Sequence, residues 1–238
     1  MNSSITNNES LRIEPIGHIR SDFISPFGIP RQPGLANAAR ASLVLTPPYD
    51  DPLSVRGLDE FSHIWLTFIF HLSPTRWKPL VRPPRLGGNA KMGVFATRST
   101  HRPNRIGLSL VALEHIDTRN GVTLTLNGAD LADGTPVVDI KPYLPWLESK
   151  PQARSGFAPE APPLFQVTFS NQAAQQLAAR PDSENLSALI QQVLAQDPRP
   201  AYRRRPDTRI HGIRLRDIDV RFRATQENVL EVIELAAI

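Results

Sequence analysis

The stretch from Ile106 to Leu126, IGLSLVALEHIDTRNGVTLTL, decides the fold. Two alternating, β-branched runs, residues 106–116 and 122–126, flank Asn120-Gly121. That pair is a strong signal for a two-residue hairpin, because both central positions of a type I′ turn need positive φ. Similar runs recur outward from this hairpin, at residues 11–20, 41–45, 63–72 and 92–97 upstream. Downstream, residues 136–140 follow an Asp133-Gly134 turn. Helical periodicity is nearly absent before residue 150, apart from a turn around 55–61, so this half is mainly β and closure into a barrel is expected.

Residues 1–10 are polar and read as a disordered N-terminus ahead of a β domain spanning 11–148. Residues 149–163 hold four prolines and several small residues, which marks a linker. The pattern changes beyond it. A strand is expected at 165–169, Ser170 is placed to cap a helix running to Ala179, and apolar residues repeat at helical spacing over 186–195. Three short strands follow, near 210–215, 218–222 and 229–235, so residues 164–238 form a small α+β unit.

Charge is segregated along the chain. The formal net charge is +4, yet residues 76–105 carry eight Lys or Arg and no acid, leaving −4 for the remainder. The cations Arg82, Arg85, Lys91, Arg102 and Arg105 stand among Pro83, Pro84, Gly87, Gly88 and Pro103, which fix turns. Guanidiniums on stiff loops suit defined contacts to phosphates or carboxylates, so this window reads as a footprint for a polyanion. A solvated basic face is the plainer reading. A second basic region, residues 197–223, has nine Arg against four Asp and includes Tyr202-Arg203-Arg204-Arg205, an aromatic followed by three cations suited to base stacking. Arginines alternating with apolar residues there also fit the wet face of a sheet.

The chain has no cysteine, which excludes disulfides, thiolate metal sites and a cysteine nucleophile. No secretory signal or bilayer-length apolar run is visible, so a cytoplasmic location with no membrane partner is expected. No Gly-x-Gly-x-x-Gly follows a strand, no phosphate-loop signature occurs, and no histidine pair has helical metal spacing. No metal is expected. His63 and His71 sit eight apart in one predicted strand and therefore face the same side.

Longer motifs are more specific. Arg31-Gln32-Pro33-Gly34-Leu35, Gly57-Leu58 with Phe61-Ser62-His63, VRPPRLGGN at 81–89, MGVFATRSTHRP at 92–103 with Ile106-Gly107, DGTPVVDIKPYLP at 133–145 and VLAQDPRPAY at 193–202 closely resemble the TsaA-like family. The resemblance spans nearly the whole chain and is closest to the family's bacterial tRNA N6-threonylcarbamoyladenosine methyltransferases.

What the resemblance implies is a single-sheeted β-barrel, a homodimer, and methyl transfer from S-adenosylmethionine to N6 of threonylcarbamoylated adenosine at position 37 of tRNA, beside the anticodon. The missing glycine fingerprint then follows, since the cofactor does not bind at a Rossmann switch point. Cofactor contacts map by resemblance onto Arg31, Gln32, Pro33, His71, Leu72, Arg98, Leu108, Asp133, Gly134, Thr135 and Pro136. One departure stands out: Arg105 occupies a position where the family pattern has proline, which shifts the loop or adds an RNA contact.

The chemistry asks mainly for positioning, with the acceptor nitrogen in line with the departing sulfur. Arg31 and Arg98 suit the cofactor carboxylate, while the Asp133 carboxylate or the turn amides suit the adenosine end. Loss of a proton from the urea-like acceptor would help, and Asp139, Lys141 and Tyr143 are candidates to take it or to orient the group. Strand-end hydrogen bonds or salt bridges account for those three residues equally well. Asp139 is the simpler base, being ionised at neutral pH. Because the cofactor-matching segments all lie before residue 150, residues 164–238 are expected to grip RNA or build the dimer. The alternative from another class is a non-catalytic RNA-binding adaptor using the same basic loops; a histidine-based metal hydrolase is disfavoured by ligand spacing.

Overall fold

A computed structural model describes residues 11–200 and 206–238. The expected disordered segment 1–10 and the Tyr202–Arg205 contact lie outside the described residues. Six strands close into a barrel: β1 (Gly17–Ser21), β2 (Arg40–Leu45), β3 (His63–Ile69), β6 (Ile106–Asp117), β7 (Thr123–Asn127) and β8 (Pro136–Pro142), in the order β1-β2-β7-β6-β3-β8. Two further short strands, β4 (Leu80–Val81) and β5 (Met92–Gly93), pair with each other outside it.

Alternation drives closure. Ile19, Leu43, Ile64, Leu66, Val111, Leu124, Leu126 and Val137 point inward and are at most 1% exposed. Removing each such side chain from water is worth about 1.5–3 kcal/mol, which repays the loop-closure cost of long-range pairing. Gly107 is opposite Phe68 in the β3–β6 register, and a Cβ built on it would fall 2.3 Å from the Phe68 ring. The ring therefore lies flat across the glycine, edge-to-face with Phe70 at 5.0 Å.

The hairpin that announces the fold differs from its expected form. Only Gly121 takes positive φ (+79°), and residues 118–122 form a longer loop between β6 and β7. Asp117 causes this: its carboxylate accepts from the Arg119 backbone N–H at 3.0 Å and from its guanidinium at 2.7 Å. A side chain that caps the backbone two residues on competes with the tight turn. Three predicted strands are also shorter: residues 11–16 precede β1 with Leu11 84% exposed, β3 ends at Ile69 so that His71 lies in the turn beyond the strand expected to hold it with His63, and residues 94–96 form a 3-10 turn after β5.

After the short helix α1 (Pro145–Glu148) and the proline-rich segment, the second unit packs helices on one four-stranded sheet. Its strands are β9 (Gln166–Phe169), β10 (Asp207–Leu215), β11 (Ile218–Gln226) and β12 (Val229–Ala237), with β9 parallel to β12. Ser170 caps α2 (Asn171–Ala178) by accepting from the Ala173 N–H at 3.1 Å. On α3 (Ser183–Ala195), Leu186, Leu189, Ile190, Val193 and Leu194 make one buried stripe at helical spacing.

The two cores do not follow the chain order. Phe23, Ala36 and Ala39, which precede β2, are buried in the core of the second unit, not in the barrel. The segment between β1 and β2 thus crosses to the C-terminal domain and returns.

Candidate active site

Strand direction fixes which loops meet. β1 and β3 both pair antiparallel with β8 and so run the same way. The ends of β1, β3 and β7 therefore share one barrel mouth with the starts of β2, β6 and β8. Into this mouth lead the 22–39 segment with Arg31-Gln32-Pro33, the exit of β3 with His71-Leu72, the loop carrying Arg98, the first turns of β6 with Leu108, and the Asp133–Pro136 turn. Every residue matched to the cofactor lies at or beside one end of the barrel.

Local hydrogen bonds build that end. The Asp133 carboxylate accepts from Ser21 N–H at 3.1 Å, Gly134 N–H donates to Ile19 carbonyl at 2.8 Å, and the buried Thr135 hydroxyl donates to Ala132 carbonyl at 2.7 Å. Gly134 has φ +76°, and His71 Nε2 lies 3.9 Å from where its Cβ would be. Gly34 N–H donates to Gly128 carbonyl at 2.8 Å, holding the Arg31 loop against the exit of β7. Gly128 itself needs to be glycine: at φ +63° its Cβ would fall 2.9 Å from Asn37 Oδ1. Gln32 Nε2 donates to the Arg31 carbonyl.

Electrostatics at the mouth are uneven. Burial lowers the His71 pKa, a nearby His18 lowers it further, and Asp133 partly opposes both, so the neutral ring is favoured. Asp130 is a largely buried carboxyl whose pKa is raised by desolvation, against the Ser109 hydroxyl, which donates to it at 2.7 Å, and the charge of Arg98. Sequence reasoning missed Asp130 and Ser109. The available signal was a lone carboxylate in the otherwise apolar Ala129-Asp130-Leu131-Ala132 run.

The basic window divides. Arg82, Arg85, Lys91 and Arg98 are exposed. Arg85 donates to the Glu160 carbonyl, and a cavity of about 280 Å³ lies between Arg31, Arg85, Phe157, Pro159 and Glu160. The proline-rich segment expected as a plain linker therefore forms one wall beside the Arg31 loop. Arg102 is half-buried and donates to the Thr97 carbonyl at 2.9 Å and more weakly to Val94 at 3.4 Å, with its guanidinium 5.8 Å above Phe95. Arg105 has φ +53°, a conformation closed to proline, and its guanidinium reaches the Ser73 carbonyl at 3.5 Å. Arg105 thus stands in a left-handed backbone conformation that the proline of the family pattern could not adopt.

The three candidate proton acceptors are not gathered with the others. At about 3.3 Å per residue along β8, Asp139 lies roughly 10 Å and Tyr143 roughly 23 Å from Pro136, toward the opposite mouth. The exposed Asp139 accepts from its neighbour Ile140 N–H and lines a cavity of about 510 Å³ with Tyr49, Arg56 and Phe61. Lys141 pairs in register with Trp65, and Tyr143 sits edge-on to His63 and Trp65 at 6.4 and 6.1 Å. The outward face of β8 aims these side chains away from the mouth because Val137 and the barrel core take the inward positions.

Of the six described arginines in the second basic region, four are matched to acids. Arg199 is fully buried against Asp197 at 2.8 Å, and Arg221 and Arg223 pair with Glu234 and Glu231 at 2.7 and 2.8 Å. The wet-face reading of the sheet describes Arg221 and Arg223.

The description "tRNA-methyltransferase O N-terminal domain" matches residues 18–149, and "TrmO C-terminal domain" matches residues 162–238. The chain belongs to the TrmO family. Among its relatives in that family, a protein of Escherichia coli K12 named tRNA (adenine(37)-N6)-methyltransferase is 49% identical over 221 residues, covering 91% of this chain and 94% of its own. A Pseudomonas aeruginosa PAO1 protein, described as a putative S-adenosylmethionine-dependent methyltransferase RcsF, is 47% identical over 94% of this chain and 97% of its own. The crystal structure of TrmO from Pseudomonas aeruginosa matches the fold with a TM-score of 0.81 at 41% identity, over 96% of this chain and 99% of that one.

Proposed function

We propose that this chain methylates N6 of adenosine 37 in tRNA with S-adenosylmethionine as donor, and that its acceptor is the threonylcarbamoylated form of that base. Full-length similarity to tRNA (adenine(37)-N6)-methyltransferase supports the enzyme class, the RNA and the donor. The observation that carries the site is the convergence of five separate motif segments on one barrel mouth.

The residues there fit the donor. Arg31 and Arg98 offer exposed guanidiniums for a carboxylate, and Leu72 and Leu108, each 51% exposed, offer apolar surface that a bound ligand would cover. The Asp133–Pro136 turn presents a positive-φ glycine beside His71, leaving room for close backbone approach. Asp133 supplies a carboxylate near a ligand whose sulfonium and ammonium are both cationic, and Asp130 a second carboxyl whose neutral form burial favours.

When bound, the donor supplies a methyl group on a sulfonium, which needs no metal or redox step for transfer. The chain supplies alignment. Arg31 and Arg98 fix the amino-acid end, the turn fixes the other end, and the neutral His71 ring can accept a hydrogen bond or a proton at the same mouth. Within one chain this makes His71 better placed than Asp139, Lys141 or Tyr143 for proton acceptance at the cofactor end. Arg82, Arg85 and Lys91 flank the mouth as phosphate contacts for the anticodon arm.

The test is methylation by the purified chain of two tRNAs, one threonylcarbamoylated and one an unmodified transcript, with nucleoside mass spectrometry as readout. Methylation of the modified tRNA alone is expected. Equal labelling of both would remove the acceptor assignment, and labelling of neither would favour an RNA-binding adaptor.

A further inference from the structure

The Arg31 loop is the middle of a segment, residues 23–39, with no helix or strand of its own. Loops of that length are ordered only where something ties them down. Here the ties run to the C-terminal domain. At the entrance, Phe23 is 1% exposed within that domain's core and bridges Leu215. In the middle, Gly28 at φ +102° lies so close to Ile213 that a Cβ would meet its Cγ2 at 3.1 Å. At the return, Ala38 N–H donates to Gln192 Oε1 at 2.8 Å, and Asn185 Nδ2 donates to the Ala38 carbonyl at 3.2 Å.

The base of the loop is a clasp. Asp22 is buried; its N–H donates to the Arg40 carbonyl at 3.2 Å, and its Oδ2 accepts from Arg40 N–H at 2.9 Å. That carboxylate is gripped from the other domain by Arg216, whose Nε and Nη2 donate to Oδ1 at 2.9 Å and Oδ2 at 3.1 Å. Arg216 Nη1 also reaches Asp182 at 2.8 Å, Nη2 reaches Asn185 Oδ1, and its backbone N–H donates to the Asp22 carbonyl at 2.9 Å. The bidentate geometry is specific to a guanidinium. Arg216 holds this position at φ +54° in the tight turn between β10 and β11, where glycine or asparagine would relieve the backbone. Its side chain compensates for a conformation its backbone disfavours.

We propose that the C-terminal domain is a structural part of the cofactor site, with Arg216 as the positioning residue that holds the Arg31-Gln32-Pro33 arch in its binding geometry. This rests on the reading of that arch as a cofactor contact. With the base and both flanks pinned to the second domain, and Gly34 pinned to Gly128 on the barrel, the arch meets the ligand already ordered. Release of the clasp transfers the ordering cost to cofactor binding. The domain expected from its position in the chain to serve RNA or dimer contacts alone therefore also sets cofactor affinity.

The experiment uses the full chain with Arg216→Ala, Arg216→Lys, Gln192→Ala and Arg31→Ala. S-adenosylmethionine binding is measured by isothermal titration well below each variant's melting temperature, and tRNA binding is measured separately without cofactor. Arg216→Ala is expected to weaken cofactor binding about tenfold, Arg216→Lys to recover little of that loss, and both to leave tRNA affinity within about twofold. In turnover, KM for the cofactor should rise while kcat at saturation stays near normal. A folded Arg216→Ala variant with a lower melting temperature and unchanged cofactor affinity would overturn the proposal. If that variant does not fold, Gln192→Ala decides, because it loosens the arch at one bond only. Cofactor affinity about two- to threefold weaker is then the expected result, and unchanged affinity refutes it. Arg31→Ala separates the two layers: no loss there defeats the reading of the arch itself, whereas loss at Arg31 with none at Arg216 defeats only the positioning role.

Discussion

Replacing Arg102 distinguishes a phosphate contact from a loop brace. Its guanidinium donates to the Thr97 carbonyl at 2.9 Å and covers Phe95 at 5.8 Å, so it ties down the turn that carries Arg98. The Val94 carbonyl, at 3.4 Å, adds little because it already accepts from the Thr97 N–H and hydroxyl. A hydrogen bond from a charged donor is worth about 1.5–3 kcal/mol when buried, and about 1 kcal/mol at this half-exposed site. The cation–π contact adds about 0.5–1 kcal/mol. Losing about 1.5–2 kcal/mol lowers the ordered fraction of the loop enough to weaken cofactor binding by at most about 10- to 30-fold. The decisive comparison is Arg102→Lys with Arg102→Ala, by cofactor titration and by tRNA binding across a salt series. A brace predicts that lysine fails nearly as badly as alanine for cofactor, since an ammonium lacks the planar fork that stacks and bonds at once. A phosphate contact predicts that lysine behaves as wild type and that alanine lowers the salt slope by about one. Normal cofactor affinity in Arg102→Ala would refute the brace.

Four further outcomes are expected. Gly107→Ala drives a methyl into the Phe68 ring and should cost about 1–3 kcal/mol, read as a lower melting temperature with no change in net charge; an unchanged melting temperature would contradict the flat-ring packing. Because the folded-state pKa of His71 is lowered, the native chain favours the neutral ring; its contribution is complete above the ordinary imidazole value of about 6.5 and is lost as pH falls below it, so His71→Gln should flatten the stability profile on the acid side of that value. Arg82→Ala and Lys91→Ala, both at exposed positions, should each lower the tRNA salt slope by roughly one without touching cofactor affinity, as two independent titrations would show. A chain ending after residue 151 uncovers Phe23, Ala36 and Ala39 and should bind apolar dyes and lose S-adenosylmethionine binding; native-like affinity in that fragment would show that the barrel orders the arch alone.

The sequence reveals the barrel because its signal is local: the inward residues Ile64, Leu66 and Phe68 on β3 alternate with more exposed ones along the strand. It misleads where the decisive contact is made by a side chain. Leu11 and Ile13 read as strand but have no partner strand among the described residues, and Asp117 redirects the Asn120-Gly121 turn by capping Arg119. The parallel pairing of β9 with β12 joins Gln166 to Val229, far apart in the chain, and no periodicity encodes it.

Charge is harder to read than hydrophobicity, because a cation's role depends on where its partner acid lies along the chain. The window at 76–105 contains no acid of its own, and Arg82, Arg85, Lys91 and Arg98 are exposed on the excursion between β3 and β6, which starts and ends at the barrel mouth. In the second region Asp197 answers Arg199 locally, but other neutralising groups come from elsewhere: Asp22 and Asp182 for Arg216, Glu234 for Arg221, Glu231 for Arg223. Asp182 shows the consequence, its carboxyl held down to about 2 by Arg180 first and by Arg216 as well, against the opposing pull of burial. An arginine count therefore overstates the polyanion-binding surface wherever the fold brings acids in, and understates structural roles such as that of Arg216. The same long-range pairing that hides Arg216 from sequence reading is what lets a residue near the C-terminus govern a loop near residue 31. The motif segments mark one barrel mouth, and the ion pairs between the two cores tie the loop that carries Arg31 to the second domain.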